Sequence, residues 1–253
     1  MNDSTQRFGS RVTDYIKYRP SYPHALMAYL AEEVGVDATA VVADIGSGTG
    51  IFTGLLLDQV AQVYAVEPNE GMRQAAETLL AAAPNWLSVQ GRAEATGLPP
   101  ASVDVVTMAQ AYHWVDRDLA IPEFQRILKP GGKVVLVWNN RLMDTPFLRT
   151  YEALLQTYGT DYTEINHQHL RQADIQACFD GPFTKRVFTN QQLFDYAGLK
   201  GRALSSSYVP AADTAAFSEF EQALYEAFCT HQRGGKVAFN YDAEVYWGEV
   251  KKS

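Results

Sequence analysis

This sequence predicts an α/β fold built on a doubly wound, mainly parallel sheet, and three observations predict it. Short apolar runs alternate with helix-patterned segments across residues 40–138. A glycine-rich turn, Gly46-Ser47-Gly48-Thr49-Gly50, follows the first run directly, and an acidic residue, Glu67, closes the second. Strands separated by single helices need crossover connections, which are right-handed and place helices on both faces of a parallel sheet.

Taken in order, residues 40–45 (AVVADI) form a β-branched run suited to a strand buried on both faces. Residues 51–60 carry Ile51, Leu55, Leu56 and Val60 at helical spacing. The run 62–67 (QVYAVE) reads as the second strand, and 70–82 as a helix ended near Pro84. Residues 86–90 and 103–108 give the third and fourth strands. A helix over 119–128 stops at Lys129-Pro130-Gly131-Gly132, and 133–138 gives the fifth strand.

Ahead of this core, residues 8–18 place Phe8, Val12, Tyr15 and Ile16 at helical spacing until Arg19-Pro20. Pro23 then opens a helix carrying Leu26, Met27, Leu30 and Val34, where its missing N–H costs little. Beyond the core, 146–158 and 190–200 read as helices. Asp213 is placed to cap a long helix with Phe217, Phe220, Leu224 and Phe228 on one stripe, stopped by Gly234-Gly235. Residues 236–250 read as one or two final strands. The expectation is one domain over 1–253, with a core of about 36–140 plus 236–250 and cap elements at 1–35 and 141–235.

Composition bounds the function. Of 253 residues, 47% are hydrophobic and 20% charged, which excludes a largely disordered chain. The 21 basic and 29 acidic side chains give a net charge of -8, and no dense Lys/Arg run occurs, so no nucleic-acid partner is expected. No apolar stretch reaches the ~20 residues of a membrane helix, and Met1–Ser10 lacks the apolar core of a signal peptide. Two cysteines, Cys178 and Cys229, make no disulfide framework or metal-ligand spacing. A cytoplasmic location, no membrane partner and no metal site are therefore expected. Glu164, His167 and His169 read as a solvated helix, because histidines two apart fall on different faces. The sequence leaves the oligomeric state open.

The glycine turn is the sharpest functional signal. Glycines between a strand and a helix let a ligand approach the backbone and the unpaired N–H groups of the helix start. An acidic residue about 20 positions on is placed to accept hydrogen bonds from both ribose hydroxyls of an adenosine-containing cofactor. Ile51 follows Gly50, so the loop reads G-x-G-x-G and departs from the dinucleotide-binding pattern G-x-G-x-x-G, which counts against a nicotinamide oxidoreductase.

Four segments in order carry a wider likeness: VVADIGSGTG (Val41–Gly50), VYAVEPNEGM (Val63–Met72), GRAEATGLPPASVDVVTMAQAYHW (Gly91–Trp114) and LKPGGKVVLVWN (Leu128–Asn139). In these the chain resembles the class I S-adenosylmethionine-dependent methyltransferases of the type 11 superfamily. FGSRVTDYIKYRPSYP and AYHWVD more loosely resemble the branch that includes trans-aconitate methyltransferases. The resemblance implies a seven-stranded Rossmann-like sheet and S-adenosyl-L-methionine as cofactor, with S-adenosyl-L-homocysteine as product. It also implies cofactor-binding roles. Asp44 orients the loop and meets the methionine amino group, Gly46, Ser47 and Gly48 line the cofactor, and Glu67 holds the ribose. Asn69 and Met72 flank ribose and adenine, Ala93 and Glu94 meet the adenine edge, and Gln110 faces the methionine portion. Tyr18 or Arg19 contacts the cofactor from the N-terminal segment. Glu94 has the alternative of pairing with Arg92.

His113 and Trp114 follow the fourth strand, where the transferred methyl group is expected. His113 is the candidate general base, with a role as pocket wall as its alternative. Trp114, Arg141, Arg202 and Tyr208 are candidate substrate contacts, and guanidinium groups suit bidentate carboxylate binding. The expected activity is methyl transfer to a small-molecule acceptor by in-line displacement, with a carboxylate among the candidate acceptors. The alternatives are a cofactor-binding sensor without turnover, or a methyltransferase acting on protein or RNA.

Overall fold

The computed structural model describes residues 16–160, 162, 172–212 and 214–251. Five strands, β1 (Val41–Ile45), β2 (Gln62–Val66), β3 (Trp86–Val89), β4 (Val103–Ala109) and β5 (Leu128–Arg141), are followed by β6 (Thr184–Phe194) and β7 (Val237–Glu249). They form one sheet in the order β3-β2-β1-β4-β5-β7-β6. The first five pair in parallel, whereas β7 runs antiparallel between β5 and β6.

The helices are α1 (His24–Tyr29), α2 (Ile51–Leu57), α3 (Glu70–Leu79), α4 (Arg117–Ile127), α5 (Pro146–Tyr158), α6 (Gln172–Gln176), α7 (Tyr196–Leu204) and α8 (Ala215–His231). A π-helical turn, Leu30–Val34, continues α1.

Successive residues of a strand face opposite ways, and β4 and β5 show the result. Val105, Val135 and Val137 join Leu26, Leu30 and Leu56 in a core on one face. Val106, Met108, Val134 and Leu136 join Phe124 and Ile127 on the other. The pairing of β4 with β5 ends at Ala109↔Val137, whereas β5 continues against β7 to Arg141↔Tyr241. That extension carries a third core, in which Phe147, Tyr151 and Leu155 of α5 and Phe220 and Leu224 of α8 pack on Phe239 and Tyr241.

The parallel core follows the expected order, and three expectations change. Residues 184–194 are a strand, so the helix expected over 190–200 begins only at Tyr196, capped by the Asp195 side chain on Gly198 N–H. The expected cap region 141–235 thus contributes β6 to the sheet. The helix expected over 119–128 does end at Ile127, but the fifth strand starts at Leu128 and not at Lys133, so Lys129–Gly132 lies inside β5, where the register jumps from Val103↔Leu128 to Val105↔Lys133. Residues 237–249 form one strand, the simpler of the two arrangements expected there. The cap of α8 is Thr214, whose side chain accepts from Phe217 N–H, while Asp213 lies outside the described residues. Most of the helix expected over 8–18, with Tyr15, and the group Glu164, His167 and His169 also lie outside them.

Candidate functional site

The carboxyl ends of β1, β2, β4 and β5 open into one cavity of about 250 Å³, lined on its far side by Arg19, Pro20, Tyr22, Arg202 and Tyr208. In an open parallel sheet the loops leaving the strands on either side of β1 depart to opposite faces, which leaves a crevice there.

The β1–α2 loop is shaped by left-handed backbone. Gly46 and Gly48 have φ of +70° and +57°. A Cβ on Gly46 would lie 2.6 Å from the Ala111 Cβ, so the turn admits no side chain there. The N–H groups of Gly46 and Ser47 both donate to the Val66 carbonyl, tying the loop to the end of β2.

Glu67 is buried, and its two carboxylate oxygens accept N–H bonds from Gly48 (2.9 Å) and Asn69 (2.8 Å). Burial raises its pKa, and the two backbone donors partly offset that rise. Each oxygen retains a lone pair, so this carboxylate is a preset acceptor facing the cavity. Asp44 lies beneath the loop, where its oxygens accept from Thr53 (2.6 Å) and Thr107 (3.0 Å). Burial pushes its pKa up to about 6 despite those hydroxyls.

Asn69 caps α3 by accepting from Met72 N–H. Gln110, at the tip of β4, has φ of +58°, a conformation rare outside glycine, and its side chain donates to the Asn139 carbonyl. Glu94 makes its alternative contact, facing Arg92 at 3.7 Å, and accepts from Asp116 N–H.

Eleven of the twelve residues expected to bind cofactor, Arg19, Asp44, Gly46, Ser47, Gly48, Glu67, Asn69, Met72, Ala93, Glu94 and Gln110, line this cavity. Tyr18 does not. Its ring lies against Gly201 of α7, where a Cβ would come within 2.0 Å of it, so it packs into the cap. Arg19 instead donates to the Ser205 carbonyl (3.0 Å).

His113 and Trp114 sit on a one-turn 3₁₀ helix, Tyr112–Trp114, and both line the cavity. Their ring centroids are 4.8 Å apart. Arg141, Arg202 and Tyr208 line the opposite, cap-side wall. Arg141 pairs with Glu152 (2.5 Å) and Tyr162 (3.1 Å), while Arg202 donates to Tyr241 and Ser206. Burial works against ionisation of Tyr208, but Arg202, Arg19 and Arg141 outweigh it and lower its pKa.

Tyr22, one of the aromatic residues ahead of the core, also lines the cavity; sequence reading missed Asn139, Tyr162 and Tyr241, which line it too. Asn139 was within reach, since it ends the run VVLVWN at the tip of β5; it donates to the Ser21 carbonyl and accepts from Asn190. Tyr241 gave no local signal, because only the register of β7 on β5 sets it opposite Arg141. Among the described residues no cluster of His, Cys, Asp or Glu suits a metal ion, and no helix is long and apolar enough to cross a membrane.

The sequence model of the family described as "Methyltransferase domain" matches residues 43–136. An uncharacterized methyltransferase of Mycobacterium tuberculosis is 42% identical over 139 residues, 55% of this chain, and the match spans about half (54%) of that relative's length. A solved structure of a proposed type II methyltransferase from Anaeromyxobacter dehalogenans superposes with a TM-score of 0.69 at 26% identity, covering 93% of this chain and 100% of that one. A proposed S-adenosyl-L-methionine-dependent methyltransferase from Methanococcus maripaludis shares the fold at a TM-score of 0.54 and 18% identity, covering 100% of this chain and 97% of that one.

Proposed function

We propose, from the premise that this chain carries a methyltransferase domain of the class I fold, that it transfers a methyl group from S-adenosylmethionine to a small-molecule acceptor. The observation that carries this reading is Glu67, a buried carboxylate aimed into the cavity directly beside a loop that admits no Cβ at Gly46. A buried acceptor with spare lone pairs suits a vicinal diol, and the strand tips beside it are where an open parallel sheet places a bound chain.

Bound there, the cofactor would supply an electrophilic methyl group on positively charged sulfur, a leaving group that keeps the S–C electron pair. The protein's own part is alignment and exclusion of water, and orientation alone supplies up to ~7–11 kcal/mol of barrier lowering. Glu67 holds the ribose side, Asn69 and Met72 shape the wall beyond it, and Gln110 fixes the end nearest the cap. His113 takes the proton from an acceptor that must lose one. An ionised carboxylate acceptor needs no base, since its usual pKa is ~4.

Calorimetry with S-adenosylhomocysteine tests the cofactor site, and methyl-labelled S-adenosylmethionine with metabolite pools tests transfer. Binding together with label on a small product is expected. Binding without transfer to any pool would make the protein a cofactor-binding sensor.

A further inference from the structure

The cavity is electrically two-sided. Asp44 and Glu67 line its strand-end half, whereas Arg19, Arg141 and Arg202 line its cap half. Arg92 and Glu94 face each other between Arg92's exposed position and the cavity wall.

Arg202 is only 6% exposed, and among the described residues its hydrogen-bond partners are neutral: the Tyr241 hydroxyl (3.4 Å) and the hydroxyls of Ser205 (3.4 Å) and Ser206 (3.0 Å). A buried guanidinium without a carboxylate is costly unless something else supplies the negative charge. Arg141 has one carboxylate, Glu152, but that group is shared with the hydroxyl of Tyr162 (2.7 Å) and the amide of Gln156 (3.2 Å). The buried Nη1 of Arg141 has no hydrogen-bond partner among the described residues. The two arginines are neighbours: Arg141 is paired in register with Tyr241, the residue that accepts from Arg202.

We propose that the methyl acceptor carries an oxyanion, a carboxylate or a phosphate, seated on Arg202 and the free edge of Arg141, and that this group anchors the molecule while a second group is methylated. This deepens the reading above and rests on it. Guanidinium donors withdraw electron density from the oxygens they hold, so the seated group is the poorer nucleophile. The atom that attacks lies on the part of the acceptor turned toward Gln110 and His113. Its lone pair forms the C–X bond, the electrons of the broken S–C bond stay on sulfur, and any proton on X passes to His113. The seated anion keeps its charge throughout.

The test titrates succinate and inorganic phosphate into the full chain, with and without S-adenosylhomocysteine, following heat and thermal midpoint. Arg202→Met and the charge-retaining Arg202→Lys are compared with the wild type. One or both anions should bind the wild type, with affinity at least tenfold weaker in Arg202→Met and intermediate in Arg202→Lys, while S-adenosylhomocysteine affinity stays within twofold. Should Arg202→Met fail to fold, Arg202→Lys and Arg141→Gln carry the same comparison.

Anion affinity equal in wild type and variants, or no anion binding by a wild type that binds S-adenosylhomocysteine, overturns the proposal alone. Anion binding that depends on Arg202 in a protein that ignores S-adenosylhomocysteine keeps the seat and overturns the cofactor reading. In the transfer assay the labelled product should remain on an anion exchanger. Release by phosphatase identifies a phosphate anchor, and retention identifies a carboxylate. A neutral labelled product overturns the proposal.

Discussion

At the scale of single residues, Glu67 and Gly46 make separable demands. Glu67 offers hydrogen bonds from a charged acceptor, each worth about 1.5–3 kcal/mol. Glu67→Ala should therefore weaken S-adenosylhomocysteine binding at least tenfold by calorimetry, and unchanged affinity would remove the ribose assignment. Gly46→Ala and Gly48→Ala share the left-handed backbone cost of ~1–2 kcal/mol. Only Gly46 adds a collision, because the Met72 Sδ lies at a comfortable 3.7 Å from a Cβ on Gly48. Thermal unfolding should thus rank Gly46→Ala clearly below Gly48→Ala; equal midpoints would mean that the loop relaxes around Ala111. These residues were legible because their motif compresses strand, turn and acceptor into a short stretch. Tyr18 was not, since a tyrosine at a helix end serves a pocket or a core equally well until α7 is placed against it.

At the scale of elements, legibility followed burial. β1 and β4 are covered on both faces and read as continuous apolar runs. β6 sits at the sheet edge with most of its residues exposed or half-buried, so its sequence TKRVFTNQQLF carries no run and only a weak alternation. Its second half was absorbed into the helix that follows. The apolar stripe of α8 was legible because its spacing is regular, and Phe217, Phe220 and Leu224 are all buried against the cap core. Leu224→Ala should cost about 2–5 kcal/mol in urea unfolding. A loss below about 1 kcal/mol would show that α8 adds little to the cooperative unit.

For the whole molecule, two buried carboxylates give acid stability opposite slopes. Burial raises the Glu123 pKa, but hydrogen bonds from Arg126 and Thr96 outweigh it and bring the value down to about 2. Its stabilisation is complete above the usual glutamate range and is lost as pH falls toward 2. Asp44, raised to about 6, stabilises fully only below the usual aspartate range, and that contribution is lost as pH rises through 6. Thermal midpoints against pH should show Glu123→Gln flattening the acid limb below pH 4.5, and Asp44→Asn removing the decline between about pH 4 and 6. Slopes unchanged in both variants would detach stability from these groups. The sheet order also has a consequence in time. Of the seven strands, the one that covers β5 is the last in the chain, so on the ribosome the Lys133–Arg141 edge emerges well before Val237–Glu249 does. At ~5–20 residues per second that interval is roughly 5–20 s, during which an apolar strand edge waits unpaired. Nascent chains stalled before Val237 should therefore be the species that hold chaperones, and release should coincide with the synthesis of the final strand.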